Sequence, residues 1–138
     1  MVLRAESRRR ARTLQLLYVW ELQGRPPMRD VVERLLRGAP RWQAEVEEAE
    51  RFAAGVAQEV ERLDVEIARA AENWRIDRIG IIEQNILRLA LHELECGDVP
   101  PRVVITEAVR LAHWFAGAKA PGFVNGVIDA LARQAGRL

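Results

Sequence analysis

Arg8, Arg9, Arg10 and Arg12 crowd five consecutive positions, with Arg4 one helical turn ahead and only Glu6 opposing them. Their chemistry is anion recognition. A planar guanidinium grips phosphate through paired N–H donors and also stacks on a nucleobase. A solvated helix face has the same composition, so the cluster alone leaves a phosphate-binding surface and an ordinary wet face both open. The whole chain does not decide between them, because its 21 Lys and Arg stand against 20 Asp and Glu, for a net charge of +1. The positive field is local and N-terminal, and Glu45, Glu47, Glu48 and Glu50 crowd a later segment.

Catalytic or metal chemistry has weaker footing. His92 and His113 are not spaced as a metal pair, and Cys96 is the sole cysteine among 138 residues. That excludes an intramolecular disulfide and a cysteine metal cage, and it suits a reducing cytoplasm. Gly117–Phe123, GAKAPGF, superficially resembles a phosphate loop, but it has no Lys and Ser or Thr after the second glycine and follows a helix pattern rather than a strand. No metal, cofactor or catalytic group is expected. Glu83 falls in the first turn of a helix, where a carboxylate is favoured. Glu93, deep in a dry arc, needs a partner, and Glu93 and Glu107 both read as structural acids that pair with Arg88 or Arg110.

The elements that must position these residues are all helical. The stretch from Ile79 to Leu94, IGIIEQNILRLALHEL, carries apolar residues over far more than one stripe, with Gln84, Asn85, Arg88, His92 and Glu95 on the remaining strip. Ordinary surface helices bury an arc only somewhat wider than about 100°, so this one belongs at the centre of a bundle. Ahead of it, Ser7 is the expected cap of a first helix in which Leu14, Leu17, Tyr18 and Leu22 follow helical spacing, up to Gly24. Arg8 and Arg12 project away from that apolar side, and Arg10 falls nearer to it. Met28, Val31, Val32, Leu35 and Leu36 form a second amphipathic helix between Pro27 and Gly38.

From Trp42 through Val46, Ala49, Ala53, Val56 and Val60 to Leu63, steps of four and three make the seam of one long helix. An intramolecular bundle is the simpler use of three such repeats than a coiled-coil dimer. Asp64 is the expected cap of a short helix through Ile67 and Trp74, and Asp77 that of the central helix. Pro100-Pro101 opens a helix through Val104, Ala108, Leu111 and Phe115, and Pro121 opens the last, with Val124, Val127, Ile128 and Leu131 inward. The reading is all-α: roughly seven helices in two small packed bundles, a single domain over 1–138 with helical halves of about 1–63 and 64–138. No stretch approaches the roughly 18 apolar residues of a membrane span. Leu14–Trp20 is broken by Gln15 and followed by Glu21 rather than by a cleavage site, so no signal peptide is read there.

Three blocks, ILRLALHEL, VPPRVVITEAVRLA and FVNGVIDALA, together with RRRAR, QLLY and FAAGV nearer the start, resemble the NusB family of bacterial transcription antitermination factors. They stand in the family's order; the stretch holding the three later blocks covers more than a third of the chain, and with the earlier matches nearly the whole chain is accounted for. In one place the spacing departs: Ala11-Arg12 stands two residues closer to Gln15-Leu16-Leu17-Tyr18 than the family's Ala-Arg pair does. Two residues rotate a helix by about 200°, so the arginines carry over as a cluster rather than one by one.

The resemblance implies two small helical bundles and a cytoplasmic, non-enzymatic protein. It implies binding of single-stranded boxA RNA from ribosomal operon transcripts with NusE, a ribosomal small-subunit protein, in a complex that keeps RNA polymerase processive. The implied RNA residues are Arg8, Arg9, Arg10, Arg12, Tyr18, Phe115, Lys119, Phe123 and Asn125, a mixture of cations for phosphate, rings for stacking and an amide for base edges. Tyr18 and Phe115 lie on apolar faces, which leaves core packing and base stacking both open for them. Glu83 matches a position that contacts the ribosomal partner, with Asp77 and Arg78 beside it. Two other classes are weighed against this one. A homodimeric helical scaffold without RNA would leave the arginines unexplained. An RNA methyltransferase carrying a NusB-like domain would need a cofactor-binding sheet, and the final helix is followed directly by Leu138.

Overall fold

The computed structural model describes residues 4–72 and 79–138. Among them are seven α-helices and one 3-10 turn, with no strand: α1 (Ala5–Leu22), α2 (Met28–Gly38), the turn Pro40–Trp42, α3 (Gln43–Gln58), α4 (Val60–Ala70), α5 (Ile81–Cys96), α6 (Pro101–Phe115) and α7 (Ala120–Gln134). The all-α reading is borne out. The chain divides into two compact units, Met1–Gln58 and Glu59–Leu138.

In the first unit α1 packs on α3, and α2 packs on both. The core is built from Leu14, Leu16, Leu17 and Trp20 of α1, Val31 and Val32 of α2, and Val46, Ala49, Ala53 and Val56 of α3. Two details of α1 differ from the expectation. It begins at Ala5, with Arg4 in extended conformation at the cap position, and Ser7 lies buried inside the first turn instead of capping it. The buried face also takes Leu16 and Trp20 inward and leaves Tyr18 and Leu22 exposed. The helix stops where Gly24 and Arg25 both adopt positive φ, 80° and 63°. Glycine takes that conformation freely, whereas arginine does so at a cost. Arg25 is held there by its N–H bond to the Trp20 carbonyl at 2.8 Å, by two bonds to Glu21 and by its guanidinium 5.0 Å from the Trp20 ring.

The expected long helix over 42–63 is broken at Glu59 into α3 and α4. No Gly or Pro marks the break. The seam continues through it, since Val60 and Leu63 are buried like Val56, but they now face the core of the second unit with Ile67 and Ala71. Arg62 clasps the break by donating to Glu59 at 2.9 Å and, with both terminal nitrogens, to Glu95 at 2.8 Å. The arginine holds the Glu95 carboxyl below its ordinary value, chiefly through these hydrogen bonds and against the opposing effect of partial burial. Asp64 consequently lies within α4 and caps nothing.

In the second unit α5 contacts α4, α6 and α7, and Ile86, Leu87, Leu89, Ala90, Leu91 and Leu94 are buried around it. Asn85 and Arg88, expected on a wet strip, are buried as well, at 0% and 2% exposure. Asp64 explains the difference: it accepts from Arg88 Nε at 2.7 Å and Nη2 at 2.8 Å, while Arg88 Nη1 donates to Asn85 Oδ1 at 2.9 Å. A buried guanidinium requires such a partner set. Glu107 pairs with Arg110 at 3.0 Å, as expected, and Glu93 is buried. The expected cap Asp77 lies outside the described residues. The α5 start is secured by Glu83, whose Oε2 accepts from the Gly80 N–H at 2.7 Å. At its other end Gly97, at φ 76°, gives the left-handed residue that ends the helix.

Candidate nucleic-acid interface

The arginine cluster divides by its surroundings. Arg8 is exposed on α1, its Nε 4.0 Å from Glu45 Oε1 on α3. Arg12 is half-buried and lies over an aromatic ring, its guanidinium carbon 3.7 Å from the Trp42 centroid. It donates to Gln15 Oε1 at 2.9 Å, and its Nε stands 3.7 Å from Glu45 Oε2. Arg9 stacks on Phe52 at 4.2 Å, and Arg10 is buried at 4% exposure. Arg10 is thus withdrawn from the surface and Arg9 is stacked on α3, while Arg8 is exposed and the half-buried Arg12 keeps part of its side chain open to solvent. Tyr18, open between core and platform on sequence grounds, is exposed.

In the second unit the remaining candidates gather where α6 gives way to α7. Phe115, last residue of α6, is exposed and meets the edge of Trp114 at a centroid distance of 6.2 Å. The short link 116–119 brings the chain back through Lys119, which is exposed and precedes α7. Phe123 is half-buried in the first turn of α7 and Asn125 is exposed just beyond it. Their closeness follows from the α6–α7 hairpin, which buries Val104, Ala108 and Leu111 with Val124, Val127, Ile128 and Leu131 as read from sequence, but leaves Phe115, read on the same apolar face, exposed. This end of the unit offers two rings, a cation and an amide.

Trp42, Glu45 and Phe52 were not singled out by sequence reasoning as partners of the arginines. Their only sequence signal is two aromatics near an acidic helix some thirty or more residues from the cluster, and α1–α3 packing supplies the rest. Glu83 is half-buried and committed to its cap, while Asp77 and Arg78, expected beside it, lie outside the described residues. Burial pushes the Cys96 thiol up, reinforced by Asp98, Glu93 and Glu95, and its sulfur is 3.7 Å from His92 Nε2. Among the described residues no three His, Cys, Asp or Glu are grouped to hold a metal ion, and no helix is long and apolar enough to cross a membrane.

Fold and site together describe an all-helical binding protein that presents guanidinium groups on one unit and a ring-and-cation loop on the other. Residues 7–133 match the NusB family, and the chain belongs to that family. It is 36% identical over 134 residues to the transcription antitermination protein NusB of Solibacter usitatus, across 93% of this chain and 90% of that protein. With the same protein of Rubrobacter xylanophilus it shares 41% over 126 residues, across 88% and 87%. Among solved structures, a crystal structure of antitermination factors NusB and NusE in complex with dsRNA superposes with a TM-score of 0.80 at 27% identity, covering 96% of this chain and 99% of that one.

Proposed function

We propose that this chain is a non-catalytic, cytoplasmic transcription antitermination factor. It binds boxA-type single-stranded RNA of ribosomal operon transcripts with the ribosomal protein NusE, and acts within the complex that keeps RNA polymerase processive. The observation that carries the reading is the near-full-length likeness to a chain of the structure of NusB and NusE with dsRNA, together with the family match; the single-strand preference rests on the exposed rings beside the cations. At the level of residues, Arg8 and Arg12 are assigned to phosphates, and Tyr18 and Phe115 to base stacking, since their rings are exposed. Lys119, Phe123 and Asn125 complete the RNA set from the second unit. Arg9, stacked on Phe52, is assigned to holding α1 on α3, and Arg10, which is buried, to the packing of α1. Glu83 is assigned to NusE, with Asp77 and Arg78.

A titration of a boxA oligonucleotide at a series of salt concentrations tests this reading. Log affinity should fall with log salt by about 0.7 for each phosphate neutralised, and a scrambled strand and a boxA duplex should bind more weakly. A flat salt response would remove the arginines from the interface. Equal binding of the duplex would overturn the single-strand assignment.

A further inference from the structure

Glu45 stands beside both guanidinium groups assigned to RNA phosphates. Its Oε1 lies 4.0 Å from Arg8 Nε and its Oε2 lies 3.7 Å from Arg12 Nε, so one carboxylate spans both guanidinium groups assigned to RNA. The Arg12 plane is fixed from two other sides, by the Trp42 ring at 3.7 Å and by Gln15 Oε1 at 2.9 Å, and cannot swing away from the carboxylate without giving these up. Glu45 itself is held in the first turn of α3, where a negative side chain is favoured by the helix dipole. Its side chain is about one-third exposed, as are groups that water and ions reach. At 4.0 and 3.7 Å these Nε contacts are ion pairs rather than hydrogen bonds, and a phosphate drawn to the same two guanidinium groups would meet the negative carboxylate beside them.

We propose that Glu45 is a built-in competitor for RNA phosphate at Arg8 and Arg12: it holds the two guanidinium groups in place in the free protein and must yield them when RNA binds. This rests on the RNA-binding reading above. The arrangement lowers affinity for any polyanion at this point of the surface and preorganises the arginines at the same time.

The test is a binding titration of a boxA single strand against the full chain and its Glu45→Gln variant at low salt. Gln keeps the length and helix propensity and removes the charge, and an exposed ion pair of this kind converts to about a two- to fivefold gain in affinity. The gain should shrink toward high salt, where charges more than ~3 Å apart are screened. Glu45→Asp, one methylene shorter, should give a smaller gain in the same direction. In an Arg8→Gln, Arg12→Gln background the Glu45→Gln gain should vanish, which a double-mutant cycle reads directly. Glu48→Gln, an exposed acid on the same helix, removes the same charge and should gain less. If the parent chain binds RNA in a salt-dependent way but Glu45→Gln leaves affinity unchanged or lower, the competitor role is wrong and the RNA reading stands. A Glu48→Gln gain equal to that of Glu45→Gln overturns it too, as a general charge effect. If the parent chain shows no salt-dependent RNA binding, both readings fall.

Discussion

Replacement of Glu83 separates its two proposed jobs, because the structure gives the side chain a structural duty beside the assigned protein contact. Its Oε2 accepts the Gly80 N–H at 2.7 Å, which satisfies one of the donors that a helix start leaves unpaired. The pocket is close: a methyl group added at Gly80 would lie 2.5 Å from that oxygen. Glu83→Lys removes both the hydrogen bond and a favourable first-turn charge, so it should cost about 1–2 kcal/mol of stability, the capping and dipole contributions taken together. Exposure alone would have suggested less. Glu83→Gln is the cleaner perturbation, since its amide oxygen still reaches the Gly80 N–H while the charge is gone, and it should cost only about 0.3–1 kcal/mol. Against a basic ribosomal partner the lost charge should weaken NusE binding by about two- to fivefold, mostly through slower association. Thermal melts give the stability term, and calorimetry with NusE and with boxA RNA separately gives the two affinities. RNA binding by the isolated chain should be unchanged in Glu83→Gln. Equal loss toward both partners, or no loss toward NusE, would refute the assignment.

Phe115→Ala should weaken boxA binding by about 1–3 kcal/mol if its exposed ring stacks on a base, with little change in the melting temperature because the ring lies outside the buried core; unchanged RNA affinity would take Phe115 out of the interface. Asp64→Ala should cost about 2–3 kcal/mol in denaturant melts by stranding the buried Arg88 guanidinium, below the roughly 3–5 of a fully enclosed pair because water reaches the Asp64 side. A cost under about 1 kcal/mol would mean that Asn85 and Gln84 suffice for Arg88. Since the folded pKa of Glu95 is depressed below its ordinary 4.5 by Arg62, its stabilising effect is fully present above about that pH and fades as the pH falls through the lowered value. Glu95→Gln should therefore flatten the acid limb of a stability-against-pH profile and leave its alkaline side unchanged in shape; a parallel offset at every pH would contradict the clasp.

Elements with local signals were legible. The i, i+3, i+4, i+7 pattern of α2, the proline pair at the start of α6 and Gly97 at the end of α5 all mark what forms. Arg10 was readable as the arginine nearest the dry face, and it is the buried one. What depended on distant partners was not legible. The break at Glu59 has no glycine or proline to announce it, since the apolar seam runs straight on while changing the core it serves. Arg88 looked solvated because Asp64, the residue that lets it be buried, lies 24 positions away. The binding face was legible as a composition and not as a geometry. Arginine clusters say that anions are welcome, but only the packing of α1 on α3 decides that Arg9 is spent on Phe52 and that Arg12 rests on Trp42.

The central claim, RNA binding shared with NusE, is tested most directly by fluorescence anisotropy of a labelled boxA strand titrated with this chain alone, with NusE alone and with the two mixed in equal amounts. The mixture should bind more tightly than either protein by itself, and the added affinity should be lost when the boxA sequence is scrambled. Binding by the mixture no tighter than by the better of the two proteins, or equally tight binding of the scrambled strand, would contradict it.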